Sequence, residues 1–131
     1  MKWNRKFVYP KSIRSTENGI RRYLIGEKKL PSVTSILDAT KSEEDKAALA
    51  NWVERTGLKE SEAIVKAASN RGSKMHAYLE SFLLGQQNLS FFDDNEQYKI
   101  MAKQIIEKGL INRFEEVWGV ECTLYKPDSY S

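Results

Sequence analysis

RGSKMHAYLE, residues 71–80, is the stretch on which the reading of this chain turns. It holds the single histidine, His76, with Glu80 four residues later. Within it and just after, Met75, Leu79 and Phe82 recur at i, i+4 and i+7, the pattern of a helix burying one stripe. A helix is therefore predicted from about Gly72 to Leu84, stopped at Gly85. The segment before it, from roughly Lys59 to Ser69, reads as a separate helix with Ala63, Ile64, Ala67 and Ala68 on its inner face. Asn70, or Arg71-Gly72, is the expected break between the two. At about 100° per residue His76 falls on the flank of the apolar stripe, and Glu80 lies one turn above it.

Working outward toward the N-terminus, Ser42 and Asp45 form a capping pair ahead of a helix from about Glu43 to Arg55. The acidic run at its start suits the positive end of a helix dipole. Ala47, Ala48, Leu49, Trp52 and Val53 are its expected core face, and Gly57 its end. Ser32 can cap a short helix through SVTSILDA, with Pro31 setting the approach. KFVY (residues 6–9) and RRYLI (residues 21–25) are β-rich and flank Asn18-Gly19, so they are read as an antiparallel pair. Leu30-Pro31 closes the second strand. Toward the C-terminus, Asp94 or Asn95 can cap a long helix ending near Gly109, with Tyr98, Met101, Ala102, Ile105 and Ile106 inside. VWGVECTLY (residues 117–125) alternates as a strand does.

A chain of 131 residues is expected to form a single domain, 1–131, of ordinary soluble composition, 40% apolar and 30% charged. No run approaches the roughly 18 apolar residues of a membrane helix. MKWNRKFVYP has charges but no apolar stretch to follow, so a secretory signal is not expected. One cysteine, Cys122, fits a reducing cytoplasm and forms no internal disulfide.

The net charge of +3 hides an asymmetry. Residues 1–36 carry nine basic side chains against Glu17 and Glu27, a net +7, which leaves −4 for the rest. Trp3, Phe7, Tyr9 and Tyr23 are interleaved with these cations. Cations neutralise phosphates and flat rings stack on unpaired bases, so this segment reads either as a single-strand contact surface or as a solvated basic edge.

On spacing alone, His76 and Glu80 could converge on one ion, as paired side chains do in zinc proteases. A zinc site would need a second histidine, and there is none. Magnesium can take one imidazole among carboxylates. Otherwise His76 bonds a neighbouring carbonyl and Glu80 is solvated.

LPSVTSIL, then Trp52, Gly57 and Ala63, then RGSKMHAYLESFLLG and a strand bearing Glu121, together resemble one nuclease lineage. This order and spacing, from about Tyr23 to Tyr125, is similar to the PD-(D/E)XK superfamily. The nearest branch is the RecB-like one, with phage exonucleases and the mitochondrial genome maintenance exonuclease. The resemblance implies that His76 lies at the edge of a magnesium site, with Glu121 at the start of the core sheet and Glu80 one turn from the histidine. His76 and Glu121 would then be the metal-site residues, and His76, Glu121 and Glu80 the catalytic set. Arg71 and Gly72 would shape the turn before His76, and Arg21, Arg22, Tyr23, Lys28, Lys29 and Arg71 are the candidate nucleic-acid contacts. The implied activity is Mg²⁺- or Mn²⁺-dependent exonucleolytic hydrolysis of phosphodiesters, in single-stranded DNA.

The pattern departs from the family at its end. A metal-binding aspartate and a D/E-x-K strand should follow Glu121, and neither is present. Asp128 lies in Pro-Asp-Ser, ordinary turn chemistry. The expected fold is therefore α+β and mainly helical. It has an N-terminal β-hairpin, four or five helices and one C-terminal strand of an incomplete nuclease core sheet. The chain alone is expected to be inactive and to hold no metal tightly. It would need the missing C-terminal part or a second polypeptide carrying it. The alternative is a shortened, non-catalytic nucleic-acid-binding or regulatory module. Either would be cytoplasmic, in a host cytoplasm if phage-encoded, with no membrane partner.

Overall fold

The computed structural model describes residues 2–85 and 96–131. They form an α+β fold of four helices and two small sheets. The strands are β1 (Lys2–Trp3), β2 (Ile13–Glu17), β3 (Ile20–Ile25), β4 (Lys28–Pro31) and β5 (Glu116–Val117). The helices are α1 (Val33–Ala39), α2 (Glu43–Thr56), α3 (Leu58–Leu83) and α4 (Gln97–Ile105), the last continued by a π turn over Ile106–Leu110. Among the described residues, no helix is long and apolar enough to cross a membrane. The chain divides into two compact units, one of Met1–Phe7 with Thr56–Glu121, the other of Val8–Arg55 with Cys122–Ser131.

In the second unit β2, β3 and β4 form an antiparallel meander. Asn18 and Gly19 make the first turn at φ 51 and 77, the paired positive values of a two-residue hairpin loop. The partner of β3 is Ile13–Glu17, not KFVY, because Glu17↔Ile20 closes directly around that turn. A second tight turn at Gly26-Glu27 was not anticipated. Gly26 adopts φ 61, so Ile25↔Lys28 pairs and Leu30-Pro31 ends a third strand. Ile25 and Leu30 are buried on one face of this sheet. Ser32 caps α1 as expected, accepting from the Ser35 amide at 3.0 Å. Ser42 does the same for α2, accepting from the Asp45 amide at 3.2 Å. The expected inner face of α2 is largely open: Ala47, Ala48 and Leu49 are exposed, and only Trp52 and Val53 are half-buried. The C-terminal residues fold back within this unit, where Ser131 exchanges backbone hydrogen bonds with Pro31 and Val33.

In the first unit the expected break at Asn70 or Arg71-Gly72 does not occur. α3 runs unbroken for 26 residues. One helical glycine costs about 1 kcal/mol relative to alanine, too little to stop a helix whose next turns pack Met75, Leu79 and Phe82. In the first half of α3 the expected inner face is instead solvated, with Ala63, Ile64, Ala67 and Ala68 all exposed, and Ser61 is the buried residue there. On α4 the buried face is Lys99, Ala102 and Ile106, while Ile105 is exposed and Tyr98 and Met101 are half-buried. Ala102 and Ile106 are thus buried as expected, Ile105 is not, and Lys99 joins the buried face unforeseen. Glu96 sits at the N-cap of α4; Asp94 and Asn95 lie outside the described residues.

The C-terminal strand is far shorter than VWGVECTLY. Only Glu116–Val117 pairs, in parallel with Lys2–Trp3. The partner is the limit, because β1 stops where Arg5 and Lys6 turn away, with the Lys6 amide donating to the Asn4 side chain at 3.1 Å. Without a longer neighbour, residues 118–125 cannot build a ladder.

Candidate functional site

α3 carries His76 and Glu80 one turn apart, and both open onto a cleft of about 470 Å³. Ser69, Gly72, Ser73 and Ala77 line the same cleft, and so does Glu121, which arrives from the far end of the unit. His76 Nδ1 lies 3.6 Å from Glu121 Oε1, within ion-pair reach but beyond a hydrogen bond. Both side chains are accessible, at 67% and 57% exposure. The sequence thus named three residues that fold onto one cleft.

Glu121 reaches it by an unexpected route. It stands on no strand and holds φ 51, in the left-handed region. A non-glycine residue there costs of order 1–2 kcal/mol, so the backbone at Glu121 carries some strain.

The other expected residues divide. Arg71 is half-buried on α3 and does not line the cleft. Arg21, Arg22, Tyr23, Lys28 and Lys29 belong to the other unit. There, neighbouring strand residues point to opposite faces. The register places Tyr23 opposite Leu30 and Arg22 opposite Pro31. Arg21, Tyr23 and Lys28 therefore share one sheet face, while Arg22 and Lys29 share the other. The anticipated single basic surface is split in two. Its lysines are also engaged: Lys28 Nζ lies 2.9 Å from Asp128, and Lys29 pairs with Glu17. That lysine, through its hydrogen bond and then its charge, holds the Glu17 carboxyl below its ordinary value. Two of the four aromatics are likewise engaged within their own unit: Trp3 bonds Leu83, and Phe7 stacks on Trp118 at 4.8 Å. Asp128 is a turn residue at φ 64, between the bridged Lys126 and Tyr130.

Ser69 and Ser73 escaped the sequence reading. They stand seven and three residues before His76, the spacing that places side chains on one helix face, and that signal could have found them.

An ion of the magnesium class needs several oxygen ligands at close range. Among the described residues no three histidine, cysteine, aspartate or glutamate side chains converge closely enough to hold a metal. The imidazole and carboxylates of this cleft do not by themselves fit a complete magnesium centre. What they offer is an accessible imidazole able to exchange a proton, next to a carboxylate that can orient it. Comparison with family models, curated proteins and solved structures finds no match.

Proposed function

We propose that this chain supplies the histidine-bearing helical edge of a Mg²⁺- or Mn²⁺-dependent exonuclease acting on single-stranded DNA. The metal-binding aspartate and the D/E-x-K strand would come from further polypeptide. The observation that carries this reading is the approach of Glu121 to His76 across one open cleft, with Glu80 on its wall. The strained backbone of Glu121 supports it, because strain of this kind persists where a side chain's position matters. In such an enzyme His76 would hold or move a proton at the edge of the site, and Glu121 would fix the orientation of its ring.

The second reading is a non-catalytic nucleic-acid-binding or regulatory module, with which the lack of any three-ligand group among the described residues is equally compatible. One assay separates the two. The purified chain, alone and with the polypeptide encoded directly downstream, is given labelled single-stranded DNA with Mg²⁺ or Mn²⁺. Metal-dependent nucleotide release only from the mixture, lost in His76→Ala, is the expected result. DNA binding without release in any mixture supports the module. Release by the pure chain, abolished by His76→Ala, overturns the need for a partner.

A further inference from the structure

We infer that a single polynucleotide strand runs along the exposed polar strip of α3, past Lys59, Lys66 and Asn70, and enters the His76 cleft at Ser73. This inference rests on the nucleic-acid reading above and names the path that reading lacks.

The strip follows from helical spacing. Lys59, Lys66, Ser73 and Glu80 recur every seven residues, so they form one nearly straight row. Successive members stand about 10.5 Å apart at 1.5 Å per residue. Asn70 flanks the row one turn beyond Lys66. The row begins with two cations and ends inside the cleft, where Ser73 and Glu80 line the wall beside His76.

Charge decides the occupant. Lys59, Lys66 and Asn70 are exposed, and among the described residues the two ammonium groups have no ion pair. An exposed cation with no carboxylate partner is what a phosphate meets at least cost. The hairpin offers the opposite case, since Lys28 and Lys29 would have to release Asp128 and Glu17 first. Arg22 and Arg21 point to opposite sheet faces and cannot grip one strand together. On α3 two acids lie near the lysines, Glu60 next to Lys59 and Glu62 between Lys59 and Lys66, and among the described residues neither forms an ion pair with them. They should weaken the contact slightly. Ser73 and Ser69 carry hydroxyls that can bond a phosphate oxygen without adding charge next to Glu80 and Glu121.

The test measures anisotropy of a fluorescein-labelled oligo-dT across a salt series. Two double variants are compared, Lys59→Glu with Lys66→Glu, and Arg22→Ala with Lys29→Ala, each checked for helix content by circular dichroism. Lys59→Ala with Lys66→Ala serves if charge reversal disturbs the helix. The α3 variant should lose about tenfold or more in affinity, with a salt slope lower by about 1.4 for two lost phosphate contacts. The hairpin variant should stay within about twofold. Weakening in the hairpin variant alone, or equally in both, overturns the α3 path while leaving nucleic-acid binding standing. No binding of the unaltered chain at low salt overturns the nucleic-acid reading itself.

Discussion

The indole N–H of Trp3 donates to the backbone carbonyl of Leu83 at 3.0 Å, tying the first strand to the end of the helix that carries His76. The last carbonyls of a helix have no partner within it, so this bond satisfies a group that would otherwise need water. The Arg5 guanidinium lies over the same ring, 5.2 Å from its centre. Trp3→Phe keeps the ring and removes the donor. Stability should fall by about 1 kcal/mol, read as a lower urea midpoint with unchanged slope. An unchanged midpoint would mean that water replaces the indole without loss.

A pH dependence follows from the neighbouring carboxylate. Glu116 accepts from the Asn4 side chain at 3.1 Å and from the Trp118 indole at 3.0 Å. The Asn4 bond first, then the Trp118 bond, hold its carboxyl below the ordinary 4.5 against a smaller opposing effect of burial. A group depressed in the folded state contributes stability above its unfolded value, and that contribution is lost as pH falls through the folded one. The β1–β5 pair should therefore loosen below about pH 4.5 and be unaffected above it. Tryptophan fluorescence followed from pH 7 to pH 3 should show this step, and Glu116→Gln should abolish it.

Two glycines, one at the start of α3 and one inside it, should respond to alanine with opposite signs. Gly57 joins α2 to α3 at φ 89, and a Cβ there would meet nothing within 4 Å. Its cost is then purely backbone, about 1 kcal/mol or more. Gly72 is helical and equally unobstructed, so Gly72→Ala should stabilise by about 0.5–1 kcal/mol. Thermal or urea unfolding of the two variants checks both signs. A destabilising Gly72→Ala would argue that the helix breaks there after all.

His76→Ala and Glu121→Gln should each change stability by less than about 0.5 kcal/mol, because both side chains are more than half exposed. Under the proposed function, both should abolish nucleotide release by the mixture of this chain with the further polypeptide. Loss of release accompanied by unfolding would assign these residues to structure instead of chemistry.

Asp128→Asn removes the partner of Lys28 on the solvent-exposed side of its unit. An exposed pair contributes about 0–1 kcal/mol, and salt screens it. The stability difference from the native chain should therefore be small at low salt and vanish in high salt. Under the proposed function, a changed metal requirement for nucleotide release would instead make Asp128 a ligand.

Local chemistry was legible in the sequence. Asn18-Gly19 specifies its turn because those residues tolerate positive φ, and Ser32 and Ser42 specify helix starts because their hydroxyls accept nearby amides. The i, i+4 spacing of His76 and Glu80 likewise required only helical geometry. Tertiary structure decided the rest. A glycine's cost of about 1 kcal/mol is small enough for packing elsewhere along α3 to override, so Arg71-Gly72 became helix interior. A strand needs a neighbour of its own length, which β1 is not, so alternation alone could not make residues 117–125 a strand. Strand parity divided a basic segment that composition presents as one surface. The meeting of Glu121 with His76 depends on the path of the chain through α4 and back, which no local pattern encodes.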